Sequence, residues 1–195
     1  INDLPLHVKT SLIDMFADDT SLTSSGQNIK DVHKNLQNDL YQVDSWCKNN
    51  AMLLNAQKSK AMFLSSKTLK PDCPSLPPLQ LQNQTIDYSE NEKLLGVYVD
   101  NGLKWKLQIE KTLKKCNSQL YLLLRIRQYL DIHTRKLFYN AYILPHLDYC
   151  CTIWGNSGHE QITDIIKFQK RAARIMLDKK YDYPSEILFK DLNWM

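Results

Sequence analysis

Two adjacent carboxylates, Asp18 and Asp19, stand between short apolar runs, Ser11-Leu-Ile-Asp-Met-Phe16 before them and Thr20-Ser-Leu-Thr23 after. Both flanks suit strands and an Asp pair favours a tight turn, so the spacing predicts a hairpin with carboxylates at its tip. Neighbouring carboxylates repel one another, and a cation held between them relieves that repulsion. Mg²⁺ is a hard ion that accepts one or two carboxylates together with substrate phosphates. The chemistry such a pair serves is in-line displacement at phosphorus, with metal ions orienting and polarising the reactants. The plainer alternative is a solvated turn that happens to read Asp-Asp.

The rest of the chain must position that pair. Its 195 residues are 43% hydrophobic, with 5 Gly and 7 Pro, a globular composition able to bury a core. No apolar run approaches the ~20 residues that span a bilayer, and no signal-peptide pattern opens the chain. Five cysteines without framework spacing point to free thiols in a reducing compartment. The expectation is an intracellular protein, nuclear or cytoplasmic rather than secreted, with no membrane partner. The net charge of +4 is unevenly spread. Residues 1–102 carry 9 basic and 12 acidic side chains, and residues 103–195 carry 16 and 9. An acidic half holds the carboxylate pair, and the basic half suits a phosphate backbone.

In the acidic half, Ile29, Val32, Leu36, Leu40, Val43 and Trp46–Cys47 recur at spacings of three and four, one buried stripe of a helix from about residue 28 to 49. His33 has no partner at ligand spacing and reads as a surface residue. Ala51–Leu54 and Lys60–Leu64 read as two short strands about a turn that carries Lys58. Residues 67–78 hold four prolines and form a loop. Residues 79–82 and 84–87, about Asn83, alternate as a small hairpin does. Residues 91–99 read as one strand ending at Asp100-Asn101-Gly102, with Gly96 in its middle as a bulge, a packing glycine or a place of close approach.

The basic half is helical. Ile109, Leu113, Cys116, Leu120 and Leu123 repeat at 4-3-4-3 within residues 104–129, and Lys104, Lys111 and Lys115 share another face. A second helix, capped by Asp131 or Thr134, should bury Leu137, Phe138, Ala141 and Leu144 before Pro145 interrupts it. A third, from about Glu160 to Leu177, should bury Ile162, Ile165, Ile166, Ala173 and Met176 and show Lys167, Lys170, Arg171 and Arg174 on one side. A last helical stretch begins at Pro184 and runs to the chain's end. Such helices with short connections make a small bundle. Cys150, Cys151, His146 and His159 lack the C-x-x-C spacing of a zinc site, and buried thiols are the ordinary reading.

The order of these blocks carries a resemblance. Ile1-Asn-Asp-Leu-Pro5, Phe16-Ala-Asp-Asp19, Trp46, Asn50, Leu54-Asn55, Lys58-Ser-Lys60, Lys93-Leu-Leu-Gly-Val97, Trp105, Tyr149-Cys-Cys-Thr-Ile-Trp-Gly155 and Gln169-Lys-Arg-Ala-Ala-Arg174 together resemble the reverse transcriptase of non-LTR (LINE-type) retrotransposons. The resemblance covers essentially all 195 residues. It implies an α+β fold: the C-terminal part of a polymerase palm over residues 1–102, an antiparallel sheet with one backing helix, then an all-α thumb over 103–195, truncated at its end. It implies an RNA-directed DNA polymerase, acting by a two-metal mechanism with Mg²⁺, or Mn²⁺ in its place. Asp18 and Asp19 would be metal ligands, Asp18 the stronger. Lys58 would protonate the leaving pyrophosphate, where a solvated loop lysine is the alternative. Leu95, Gly96 and Val97 resemble a primer grip. The implied partners are an RNA template, a DNA primer and a deoxynucleoside triphosphate. The fingers and the first part of the palm, with another metal-binding aspartate, would lie elsewhere in the same polyprotein, leaving this fragment inactive in isolation. The alternatives are a non-catalytic nucleic-acid-binding module and an inert transposon remnant.

Overall fold

The computed structural model describes residues 1–64 and 76–194. The proline-rich loop expected over 67–78 lies largely outside them, as does Cys73. The fold is α+β, with small two-stranded sheets and seven helices among the described residues. The chain divides into two compact units, Ile1–Glu92 and Lys93–Met195.

In the first unit, strands β1 (Leu12–Phe16) and β2 (Asp19–Thr23) pair antiparallel, with Leu12 opposite Thr23 and Phe16 opposite Asp19. Helix α1 (Ile29–Asn49) backs this hairpin. Asn28 caps it, its side chain accepting from the Lys30 amide at 3.0 Å. The expected stripe is used on two sides. Val43, Trp46 and Cys47 pack with Leu4, Ile13, Met15 and Leu22, whereas Leu36 and Leu40 pack against Leu79, Leu81 and Ile86.

Strands β3 (Leu79–Leu81) and β4 (Gln84–Ile86) form the expected small hairpin. Gln82 and Asn83 both take positive φ, the two-residue turn whose twist matches paired strands. The Gln37 side chain fastens β3 to α1, donating to the Gln80 carbonyl at 2.9 Å and accepting from its amide at 2.7 Å. His33 is partnered too, its Nε2 lying 2.8 Å from the Pro77 carbonyl oxygen.

The two strands expected over Ala51–Leu54 and Lys60–Leu64 do not form. Residues 51 and 52 instead close α1. Ala51 sits at φ 54, its amide donates to the Lys48 carbonyl, and the Met52 amide reaches back to the Cys47 carbonyl at 2.8 Å. That is a Schellman closure, and it spends the backbone donors a strand would need. In the second stretch only Ala61 makes a bridge, to Tyr88.

The stretch expected as one strand over 91–99 is two, β5 (Asn91–Leu94) and β6 (Val97–Asp100), which pair with each other. Leu95 and Gly96 take φ 45 and 89 between them, so Gly96 makes the turn rather than a bulge in mid-strand.

The second unit is a helical bundle: α2 (Lys106–Ile126), α3 (Ile132–Tyr142), α4 (Leu144–Asp148), α5 (Cys151–Trp154), α6 (His159–Leu177) and α7 (Ser185–Leu192). The seam of α2 is buried at Ile109, Cys116, Leu120 and Leu123, with Leu113 packed beside it. Asp131 is the α3 cap, accepting from the Thr134 amide at 2.7 Å. The buried face of α3 differs from expectation: Leu137 and Ala141 are exposed, and Tyr139, Ile143 and Leu147 are buried. Pro145 begins α4 one turn after Ile143, so a single stripe runs across the break and takes the large ring of Tyr139 inward. In α6, Phe168, Ala172 and Ile175 join Ala173 and Met176 in the core, while Ile166 faces outward. Helix α7 ends before the chain does. Asn193 takes φ 57, and the Trp194 amide returns to the Phe189 carbonyl at 2.9 Å, which sets the Trp194 ring 4.7 Å from that of Tyr139.

Candidate functional site

The β1–β2 turn consists of Ala17 and Asp18, with Ala17 at φ 54, and Asp19 opens β2 opposite Phe16. Both carboxylates are exposed, and neither has a hydrogen bond or ion pair among the described residues. Oxygen donors left free at the end of a stiff two-stranded projection suit a hard cation. Two carboxylates do not enclose one, and no group of three His, Cys, Asp or Glu among the described residues is placed to do so.

What steadies this projection is a residue the pattern did not single out. Asp39 of α1 is only 2% exposed, yet it is a carboxylate. It accepts from the Lys9 amide at 3.0 Å, the Thr10 amide at 3.1 Å, the Thr10 hydroxyl at 2.6 Å and the Ser11 amide at 2.7 Å. Burial disfavours its charge, but the Thr10 hydroxyl and the Lys9 and Ser11 amides outweigh it and hold the carboxyl down at about 2. Leu36 lies three positions before Asp39 and Val43 four after, so a charge within the apolar stripe was the available signal.

Lys58 is exposed in a turn built on Asn55, whose side-chain oxygen and carbonyl both accept from the Lys58 amide at 3.1 Å. The neighbouring Lys60 pairs loosely with Asp87 at 3.7 Å.

In the second unit, Leu95 and Gly96 form the β5–β6 turn and Val97 is buried. The Tyr149 hydroxyl donates to the Leu95 carbonyl at 2.6 Å, and its ring covers Gly96 so closely that an added Cβ would lie 3.3 Å from it. Gln108 ties β6 to α2, accepting from the Tyr98 amide at 2.9 Å and donating to the Thr112 hydroxyl at 3.2 Å. The Asp100 carboxylate accepts from the Gly102, Lys104 and Trp105 amides, shaping the loop into α2.

Lys104, Lys111 and Lys115 are exposed, and the last two line a cleft that Lys104 does not. The basic residues of α6 are engaged unequally. Lys167 pairs with Asp164 at 3.1 Å, and Lys170 is half-buried. Arg171 reaches Asn117, and Arg174 lies over the Tyr181 ring and donates weakly to the Tyr183 carbonyl.

Among the described residues, no helix is long and apolar enough to cross a membrane. No family model matches the chain, and no solved structure matches it. Curated proteins do. Over 188 residues, 95% of its length, the chain is 27% identical to the probable RNA-directed DNA polymerase from transposon BS of Drosophila melanogaster, covering 20% of that protein. Over 193 residues, 97% of its length, it is 25% identical to the probable RNA-directed DNA polymerase from transposon X-element of the same fly, covering 21%. It is 21% identical over 183 residues to the RNA-directed DNA polymerase from mobile element jockey, with 89% of the chain and 19% of that protein covered. The chain thus spans about a fifth of the length of these relatives. On these matches it belongs with the RNA-directed DNA polymerases of non-LTR transposons, the reverse transcriptases.

Proposed function

We propose that the first unit is the C-terminal part of a polymerase palm and the second a thumb, acting together in RNA-templated addition of deoxynucleotides to a primer 3′-hydroxyl. The observation that carries this reading is the unpartnered Asp18–Asp19 pair at a hairpin tip, in a chain matched along its length to such polymerases. Asp18 and Asp19 supply hard oxygen ligands, and Asp39 fixes the base of the hairpin that presents them. Bound there with a further ligand, divalent magnesium would polarise the primer hydroxyl and neutralise charge on the triphosphate. Lys58, exposed on its Asn55 turn, donates a proton to the departing pyrophosphate. The Leu95–Gly96–Val97 turn lies against the primer's 3′ end. Lys104, Lys111, Lys115, Lys170 and Arg171 face the backbones of template and primer, and Lys167 and Arg174 join them by leaving their present partners. Two carboxylates do not hold two ions, so activity requires the remainder of a polymerase as long as the relatives.

The test is a complete polymerase containing this chain. Asp18→Asn should abolish magnesium-dependent primer extension on an RNA template while leaving template binding nearly intact. Extension at the unmodified rate would refute the assignment.

A further inference from the structure

The second unit contains a cleft of about 270 Å³ between the β5–β6 turn, α2 and α4. Lys93, Lys111 and Lys115 line it with His146, and Tyr98 and Tyr149 supply its rings. No carboxylate lines it. Among the described residues, none of the three lysines pairs with an Asp or Glu, although Lys48, Lys60 and Lys167 all do. Lys93 from β5 and Lys111 from α2 each bring an ammonium 5.9 Å from the centre of the same Tyr98 ring. Ring faces attract cations, but one ring does little against the mutual repulsion of ammonium groups so close together.

The walls of this cleft are fixed. Gln108 holds the Tyr98 backbone to α2, and the Tyr149 hydroxyl holds the turn to α4's end. Two of the lysines stand four residues apart on α2, one turn along the same face. Convergent cations on a braced scaffold, with no anion of the protein's own, describe a site whose missing member is an anion.

We propose that this cleft binds a phosphate group, with Lys93, Lys111 and Lys115 as its cationic ligands and His146 at its edge. The inference rests on the polymerase reading only for the source of the phosphate, which is either the backbone of a bound strand or a free polyphosphate. Lysine ammonium groups serve as point charges toward phosphate and need no bidentate geometry, so an open cleft suffices.

The experiment is an amide NMR titration of the 195-residue chain at low salt. Three probes are used: inorganic pyrophosphate, decathymidylate, and a decathymidine with uncharged methylphosphonate linkages. Saturable shifts at Gly96, Tyr98 and Gln108 with either charged probe, and none with the uncharged one, support the site. Pyrophosphate alone acting marks a free polyphosphate, and decathymidylate alone marks a strand. The double variant Lys111→Gln/Lys115→Gln should weaken binding at least tenfold. Lys114→Gln, which removes one charge from the same helix outside the cleft, should change it less than twofold. Equal weakening by Lys114→Gln, or no shift at the three amides with either charged probe, overturns the site. Neither result touches the Asp18→Asn test, which fails or succeeds independently.

Discussion

The Asp39 carboxylate accepts the Ser11 amide at 2.7 Å, joining the middle of α1 to the residue before β1. Together with its bonds to Lys9 and Thr10, this makes one buried side chain the clamp on the root of the hairpin that ends in Asp18 and Asp19. A two-stranded hairpin is marginal by itself in water. Its precision comes from Ile13, Met15 and Leu22 on the α1 face and from this clamp.

Asp39→Ala would leave three amides and a hydroxyl without their acceptor, and each unmet buried donor costs about 1–3 kcal/mol before water re-enters. The expected loss is about 3 kcal/mol, read in urea as a lower midpoint at unchanged slope. The same clamp sets an acid limit. The folded carboxyl, at about 2, lies below the ordinary 3.8, so its contribution is full above pH 3.8 and is lost as pH falls toward 2. The contribution at stake is about 2 kcal/mol. Unfolding free energies at pH 5 and pH 2 should differ by about that much more in the natural chain than in Asp39→Asn. An equal pH dependence in the two would remove the clamp's role.

Gly96 meets two constraints at once. Its φ of 89 is a conformation L-residues avoid, and the Tyr149 ring occupies the space a Cβ would take. Gly96→Ala should therefore cost about 1–2 kcal/mol, mostly backbone strain, because the half-exposed Tyr149 ring can yield by a few tenths of an ångström. Tyr149→Phe keeps the ring and loses the bond to Leu95, an exposed carbonyl that water can serve, so about 0.5–1 kcal/mol is expected. Thermal unfolding of the two variants should rank them in that order.

What the sequence made legible followed from periodicity. The stripe of α1 and the seam of α2 repeat over many turns, and the carboxylate pair sits where alternation breaks for a turn. Three features escaped for physical reasons. Asp39 is satisfied by backbone amides 28–30 residues upstream, and amides carry no residue signature. The β5–β6 turn is built from Leu95 and Gly96 within an apolar run, so hydrophobicity concealed it. The face of α3 is set by what continues beyond Pro145, and eleven residues taken alone admit more than one stripe.

The cysteines should separate sharply in reactivity. Burial pushes the Cys116 thiol up to about 11, and burial followed by the Asp44 charge raises that of Cys47. The attacking species is the thiolate, so both are protected twice, by access and by protonation. Cys151 is exposed and Cys150 half-buried. Iodoacetamide at pH 8, followed by peptide mapping, should modify Cys151 first and Cys116 only after denaturation. Early labelling of Cys116 would mean that the α2 seam opens in the native protein.

Glycine is scarce here, and three helices close on residues that are not glycine. Ala51 after α1, Asp178 after α6 and Asn193 after α7 take φ of 54, 53 and 57. At each, the following amide bonds back to the carbonyl five residues earlier, Met52 to Cys47, Lys179 to Arg174 and Trp194 to Phe189. Left-handed backbone costs an L-residue about 1–2 kcal/mol, least for Asn and Asp, whose short polar side chains bond locally. Alanine has no such compensation. Ala51→Gly should therefore stabilise the first unit by about 1 kcal/mol, after the greater entropy of glycine in the unfolded chain is subtracted. Asn193→Gly should gain only a few tenths of a kcal/mol, because asparagine already tolerates the position. Asp178→Gly should gain nothing measurable, since it also removes the 3.2 Å pair with Arg127. Urea midpoints of the three variants should fall in that order, and destabilisation by Ala51→Gly would mean that the α1 closure opens in solution.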